Sequence, residues 1–261
     1  EYNNQKVLQV NADMSANFVI PTAYIKKQYD DNLFIAKGIR KSYYGSMTKD
    51  HNFVYIDNKN RLHRQPVNQL PNYPAAKIPT AVLSNGSGLH LSKDQIALYL
   101  AVSADASIDI RKNGTRYCRF TVKKDRKYIR IKGILDRLGI SYFDNPHANG
   151  NGSKNIGTYK YIGFRAPDWI ASKELPMAWV ELATIEEKRF IIEEMAYWDG
   201  NFVNGRTFTE FSASIEHNAD FMQAISSTAG IMSTKRMRSA ATDKHKARYN
   251  VKILHNKSYV T

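Results

Sequence analysis

Cysteine is almost absent from this sequence, and acidic residues are scarce relative to basic ones. The single cysteine, Cys118, excludes an internal disulfide framework and a zinc site built from cysteines. The chain also lacks a long uncharged apolar run, and its mean hydropathy of −0.50 argues against a membrane span. Hydrophobic residues make up 43 % of the 261 residues, which is too many for a disordered tail. The composition therefore predicts a folded protein with one large domain or two small ones.

The basic residues are concentrated in two segments. Lys and Arg outnumber Asp and Glu by 38 to 24, which gives a net charge of +14. Segment 111–137 holds eleven basic and two acidic residues, and segment 235–257 holds eight and one, so their net charges are +9 and +7. Ordered surfaces of this charge density favour phosphate binding, because each neutralised phosphate releases counterions. The alternative is that the two basic segments are simply solvated faces.

The two basic segments belong to matching halves of an internal repeat. RFTVKKDRKYIRIKGILDRLGI (119–140) and EFSASIEHNADFMQAISSTAGI (210–231) have equal length and read as strand, polar turn and amphipathic helix. Gly139 and Gly230 follow these helices at the position of a left-handed cap. A helix precedes each segment and a further strand follows it. Each half is therefore predicted as αββαββ, with a closing helix near Asp168–Lys173.

The helix that opens each half begins with a capping box and ends in an aspartate. The boxes are Ser92–Gln95 and Thr184–Glu187, and the helices run to Asp105 and Asp199. Two carboxylates at the C-terminal ends of packed helices repel each other and the helix dipoles unless a cation lies between them. Magnesium prefers such oxygen ligands and shares its remaining positions with phosphates. The alternative is that Asp105 and Asp199 are ordinary helix-end residues.

The same two helices resemble the paired LAGLIDADG motifs of single-chain homing endonucleases, through LYLAVSADAS (98–107) and IIEEMAYWDG (191–200). The resemblance implies two αββαββα halves whose sheets form a saddle on duplex DNA. It also implies that Asp105 and Asp199 bind Mg²⁺ or Mn²⁺ and that both DNA strands are cut across the minor groove. Ala106 replaces the usual glycine, and Leu100 and Glu194 stand where a small residue is often found. These departures favour reduced activity.

The resemblance also indicates further site residues in each half. A basic residue near each metal is common in the family, and Lys160 and Lys252 on the late strands are the catalytic candidates. A phosphate contact or a solvated strand residue is the alternative for either lysine. Other basic residues of both halves are candidates for the DNA surface. They are Arg116, Arg119, Lys123, Arg236, Arg238, Lys246 and Arg248.

Residues 1–88 differ in character from the repeat, which occupies 89–261 with halves at about 89–175 and 180–261. Short apolar runs predict a small all-β domain that ends in a linker rich in Pro, Gly and Ser. SMTKDHNFVYID resembles the TxxH block of Hint domains in inteins, in which Thr48 and His51 would polarise a scissile peptide. The alternative is that Thr48 and His51 belong to a turn before a strand and have no splicing role. No Cys or Ser opens the sequence, and Lys257 follows His255–Asn256, so we expect no splicing from it.

These observations predict an α+β protein, with a partial Hint-like β domain followed by a pseudo-twofold LAGLIDADG nuclease domain. The leading hypothesis is an intein-derived, site-specific homing endonuclease that hydrolyses double-stranded DNA with a divalent metal. A catalytically decayed DNA-binding remnant and a protein-splicing intein trimmed of its splice junctions are the alternatives. We expect a monomer with duplex DNA as its partner and no membrane contact. An intracellular location, cytoplasmic or at the nucleoid, suits a phage or microbial element of this kind.

Overall fold

The computed structural model describes residues 5–37, 44–70, 77–148, 159–198, 200–201, 210–243, 246–255 and 259–260. Before residue 80 the regular structure of the described chain consists of short strands and one 3₁₀ turn, Val67–Gln69. The strands are β1 (Val7–Val10), β2 (Ala16–Val19), β3 (Phe34–Lys37), β4 (Tyr44–Met47), β5 (Asn52–Ile56), β6 (Leu62–Pro66) and β7 (Ile78–Pro79). Three separate antiparallel hairpins, β1–β2, β3–β4 and β5–β6, use six of these strands. Few apolar side chains of the hairpins are buried, so they share no large core.

The first half of the repeat folds as predicted from its sequence pattern. Its elements are α1 (Lys93–Asp105), β8 (Ala106–Ile110), β9 (Arg116–Val122), α2 (Asp125–Arg137), β10 (Tyr142–Ala148) and β11 (Tyr159–Arg165). The four strands form one antiparallel sheet in the order β10–β11–β9–β8. The predicted αββαββ order is confirmed for this half.

The second half repeats this topology. After a short helix, α3 (Ala178–Leu182), come α4 (Ile185–Trp198), β12 (Gly200–Asn201), β13 (Glu210–Ala213), α5 (Glu216–Thr228), β14 (Met232–Ser239) and β15 (Arg248–Leu254). The sheet order is β14–β15–β13–β12, which matches the first sheet strand for strand. A final strand, β16 (Tyr259–Val260), pairs with β7. The α+β class is therefore confirmed, and no helix in the described ranges is both long and apolar enough for a membrane crossing.

The closing helix predicted near Asp168–Lys173 is wrong. The chain makes a turn there, and the next helix is the five-residue α3. A helix would use its carbonyls for backbone bonds, but here side chains of α1 bind the carbonyls at the end of this segment. The Ser103 hydroxyl donates to the Lys173 carbonyl at 2.7 Å, and the Tyr99 hydroxyl donates to the Glu174 carbonyl at 3.1 Å.

The sequence signals at the helix ends correspond to real hydrogen bonds. Both halves of each capping box are formed, in Ser92–Gln95 before α1 and in Thr184–Glu187 before α4. Gly139 and Gly230 have φ angles of 64° and 81° after α2 and α5. These left-handed conformations favour glycine and end both helices where the repeat predicts.

The central core lies between the two halves, where α1 packs against α4. Every α1 residue from Ile96 to Ser103 is buried, so this helix has no solvated side. It contacts β8, β9 and α2 as well as α4. A helix that is enclosed in this way is apolar all round, which explains why α1 has no amphipathic pattern.

The segment predicted as a linker is docked on the second half, where the structure describes it. Val82 N and Ser84 N donate to carbonyls at the end of α5, at 2.7 and 2.9 Å. Gly86 N and Gly88 N donate to the end of α3, at 3.1 and 2.8 Å. The Nζ of Lys188, a fully buried α4 residue, donates to the Ser84 carbonyl at 2.6 Å. The Pro, Gly and Ser residues of the predicted linker therefore allow this segment to pack closely on the second half and do not make it a flexible connection.

Candidate nucleic-acid interface

Asp105, the predicted metal ligand of the first half, is the last residue of α1 and is bound by a lysine of α2. The Lys127 Nζ lies 2.5 Å from Asp105 Oδ2, and the two side chains are 11 % and 22 % exposed. The same ammonium lies 5.9 Å from the centre of the Trp198 ring at the end of α4. A protein cation thus neutralises the carboxylate at the negative end of the α1 dipole.

The second predicted ligand, Asp199, lies outside the described residues and directly follows α4. Inside α4, Glu194 is buried and binds Arg130 of α2 through both oxygens, with the Nε bond at 2.9 Å. The Trp198 Nε1 donates a further bond of 3.1 Å to the same carboxylate. Hydrogen bonding to Glu194 raises the pKa of Arg130, because the carboxylate favours the cation. Arg130 of α2 therefore balances the charge of Glu194, which stands at a position where the resemblance predicts a small residue.

The described residues cover only half of the predicted Mg²⁺ or Mn²⁺ site, because Asp199 lies outside them. Within the ranges given above, no three His, Cys, Asp or Glu side chains come together as a metal site requires. Asp105 is the one predicted ligand within those ranges, and Lys127 already pairs with it. Magnesium is commonly held by one or two carboxylates together with water and phosphate oxygens, so a metal at Asp105 would have to displace the Lys127 ammonium.

Each four-stranded sheet has one face against helices and one open face, because side chains alternate along a strand. In β9, Cys118, Phe120 and Val122 are buried on the helix side, whereas Arg119 and Thr121 are exposed on the other. Burial raises the pKa of the Cys118 thiol to about 12, as expected for a core cysteine. The outward side of the sheet containing β9 is called the first open face below, and that of the sheet containing β15 the second.

The two predicted catalytic lysines lie on different sides of their sheets. Lys160 shares the helix side of β11 with buried Ile162 and forms an ion pair with Asp125 at the start of α2. Lys252 is exposed on the second open face, where β15 pairs it with Glu210. The corresponding position opposite Arg119 in the first sheet is Gly163. The structure thus does not bring the two lysines into equivalent positions.

The second open face carries most of the predicted DNA-binding residues of its half. Arg236 is exposed and pairs in register with Asn250, which lies on that face. The Arg238 guanidinium lies 3.7 Å from Glu210, and Arg248 donates to the Ser212 hydroxyl at 3.4 Å. Lys246 is exposed in the segment that leads into β15. Three guanidinium groups therefore lie on or beside a polar sheet surface.

The first open face carries two of the three residues predicted for its half. Arg119 is 44 % exposed and pairs with Asp109 of β8 at 2.6 Å. The Lys123 Nζ lies 4.7 Å above the ring of Tyr159. Arg116 instead has the helix-side register of Cys118, and its guanidinium donates to the Asp168 carbonyl at 3.3 Å. Arg116 is thereby directed away from this face.

The TxxH pair lies in the turn between β4 and β5. His51 N donates to the Thr48 carbonyl at 3.0 Å, and His51 is exposed. The His51 carbonyl accepts from Val67 N at 2.9 Å. These bonds account for the two residues as turn positions, and their splicing role stays a prediction.

Sequence reasoning missed the partners of the motif carboxylates. In the sequence, Lys127 and Arg130 are two of eleven basic residues in one segment, and no local signal distinguishes them. Their spacing of three along α2 places them on the same side of that helix, which could have indicated a shared contact. Nothing in the sequence pairs them with Asp105 and Glu194, which lie 22 and 64 residues away.

No protein-family model and no curated protein matches this sequence. Solved structures with similar folds include the homing endonuclease I-DmoI in complex with DNA and Mn, at 11 % identity and a TM-score of 0.43. That match covers 62 % of this chain and 90 % of the other. The N-terminal LAGLIDADG domain of DUF199/WhiA is similar at 11 % identity and a TM-score of 0.40, covering 63 % of this chain and 77 % of the other.

Proposed function

We propose that this chain binds double-stranded DNA through the open faces of its two sheets. The observation that carries the proposal is that each half presents an open antiparallel sheet face with basic residues. Arg236, Arg238 and Arg248 concentrate the charge on the second of these faces. Strands fit the major groove of B-DNA, and guanidinium groups bind both phosphates and guanine edges. A duplex that contacts both faces would meet two related surfaces in succession.

Selection from a library of randomised 40-bp duplexes tests this proposal. We expect enrichment of one sequence class, bound at least about 1000-fold more tightly than a scrambled duplex of equal composition. Fluorescence anisotropy at fixed salt gives both affinities. Equal affinity for selected and scrambled duplexes would refute sequence-specific binding.

Phosphodiester hydrolysis is the second candidate activity, as in a homing endonuclease. It is supported by α1, which ends at Asp105 and packs against α4, whose last residue directly precedes Asp199. The ion pair between Asp105 and Lys127 opposes it, because it occupies the carboxylate. A metal, if bound, would supply Lewis-acid activation at these two aspartates.

Incubation of the selected duplex with Mg²⁺ or Mn²⁺ separates the two candidates. Cleavage by wild type that Asp105→Asn abolishes would establish the endonuclease. Intact duplex at full occupancy, in wild type and in Lys127→Met, would establish binding without cleavage, as in a decayed remnant. Binding in the absence of added metal is expected under either outcome.

An intein-type origin is part of the proposal for residues 1–88. It is supported by the pairing of β16 with β7, since the chain after the second half returns to a strand that precedes the first. The repeat is thus flanked by two strands of one small sheet, as an inserted unit would be. The test places a Cys or Ser before Glu1 and looks for self-cleavage by mass spectrometry. Absence of any product, including under thiol treatment, would count against it.

A further inference from the structure

The first open face differs from the second in carrying aromatic rings. Tyr117 of β9, Tyr159 and Tyr161 of β11 and Phe143 of β10 all occupy outward positions in the strand register. Phe143 is 58 % exposed and meets Tyr161 edge to face, with ring centres 5.8 Å apart. The described strand positions of the second open face hold polar, basic or aliphatic residues and no aromatic ring.

A glycine leaves room for two of these rings close to the sheet backbone. Gly163 occupies an outward position in the register of β11. It is nevertheless buried. A Cβ at this position would lie 3.1 Å from the Tyr161 hydroxyl and 3.3 Å from Cε1 of Tyr117. The two rings therefore cover the backbone at Gly163. A larger residue at position 163 would displace both rings.

Cations border this aromatic surface. The Arg111 guanidinium stacks 4.5 Å from the centre of the Tyr117 ring, and Lys123 lies above Tyr159. Arg165 is exposed on the same face, paired in register with Tyr117. Aromatic rings beside cations are the combination that binds unpaired nucleic acid, because bases stack on the rings while phosphates meet the charges.

We propose that the first open face binds single-stranded nucleic acid by stacking unpaired bases on Tyr161 and Phe143. Intact duplex DNA offers only base edges and phosphates to a protein surface, so these rings have no base face to contact there. The proposal goes beyond duplex binding and does not depend on it. Single-stranded DNA and RNA share the required chemistry, which is an accessible base face on a phosphate backbone.

The test measures binding of the full chain to labelled dT12 and rU12 by fluorescence anisotropy at 150 mM salt, with the selected duplex measured in parallel. Stacking on one ring predicts that Tyr161→Ala weakens oligonucleotide binding by roughly 5- to 150-fold. Phe143→Ala, at an exposed position, should weaken it similarly. Tyr161→Phe keeps the ring and should bind as wild type does. Tyr24→Ala is the matched control, because Tyr24 is 70 % exposed and lies outside both sheets.

Three results would overturn the proposal. Wild type could fail to bind either oligonucleotide at micromolar concentration. Binding could survive both alanine substitutions unchanged, which would assign it to charge alone. Equal losses for duplex and oligonucleotide in Phe143→Ala would assign the ring to duplex binding. Tighter binding of rU12 than of dT12 would identify RNA as the source, and the reverse would identify DNA.

Discussion

The charge on the second open face predicts how strongly DNA binding should depend on salt. Arg236, Arg238 and Arg248 lie on or beside this face, and among the described residues the one carboxylate paired with them is Glu210, which forms a long ion pair with Arg238. The nearest carboxylate to Arg238 is 3.7 Å away, and Arg248 contacts a neutral hydroxyl. We therefore expect each guanidinium to neutralise about one DNA phosphate on binding.

The triple variant Arg236→Ala, Arg238→Ala, Arg248→Ala should bind duplex with a shallower salt dependence. Each lost phosphate contact removes about 0.9 from the slope of log K against log salt, so the slope should fall by about 2.7. Between 50 and 200 mM salt, the wild-type affinity should consequently drop about 40-fold more than that of the variant. Anisotropy titrations at four salt concentrations measure both slopes.

A second triple variant supplies the control. Lys26→Ala, Lys27→Ala, Lys59→Ala removes the same charge from exposed residues among the N-terminal strands. Its slope should equal that of wild type within error. An unchanged slope in the arginine variant would refute the assignment of the second open face to DNA. Equal changes in both variants would show that overall charge, and not this face, sets the affinity.

Other predictions concern stability, measured by denaturant unfolding. Burial lowers the pKa of Lys188 to about 8 from its ordinary 10.5, so protonation opposes folding, and wild-type stability should rise by about 3 kcal/mol between pH 8 and 10.5. Lys188→Met should lack that rise, and a parallel pH dependence in both proteins would contradict the reasoning. Arg130→Ala leaves the buried Glu194 carboxylate without its cation and should cost roughly 3 kcal/mol, whereas a loss under 1 kcal/mol would contradict it. Gly86→Ala places a Cβ 2.1 Å from the Leu182 carbonyl oxygen and should cost about 3 kcal/mol, and a neutral result would refute the docking of this segment.

Matched variants separate these effects from general damage. Arg137→Ala removes an exposed partner of Asp94 and should cost less than about 1 kcal/mol. Gly133→Ala, within α2, is the control for Gly86→Ala. The added Cβ meets only the flexible end of Arg137 there, and alanine favours a helix more than glycine does. Lys59→Met, at an exposed position, should leave the pH dependence of stability unchanged.

Local signals in the sequence predicted the elements of the repeat well. Capping boxes at Ser92 and Thr184 and left-handed glycines at 139 and 230 act within a few residues, so their effects can be read in order along the chain. The equal spacing of these signals in both halves then predicted one topology twice. The closing helix prediction failed because Lys173 and Glu174 bind side chains of α1, a long-range contact that no local signal encodes.

The contacts between elements could not be predicted in the same way. Alternation in YKYIGF shows that β11 has two faces, but it does not show whether Lys160 points to the helices or away from them. Likewise, Lys127 and Arg130 are charged residues on a basic helix, and a solvated position is the usual expectation for them. Their partners come from α1 and α4, and only the packing of three helices brings these charges together.

The chemical difference between the two open faces gives the molecule a direction. One face combines tyrosines with a few cations, and the other consists mainly of arginines over serine and asparagine. Two identical subunits would read the same sequence inverted on either side of a centre, whereas these two faces are encoded separately and differ in sequence. A duplex bound across both faces would therefore meet a different surface at each end of the protein. The bound protein would then have one defined orientation along that duplex.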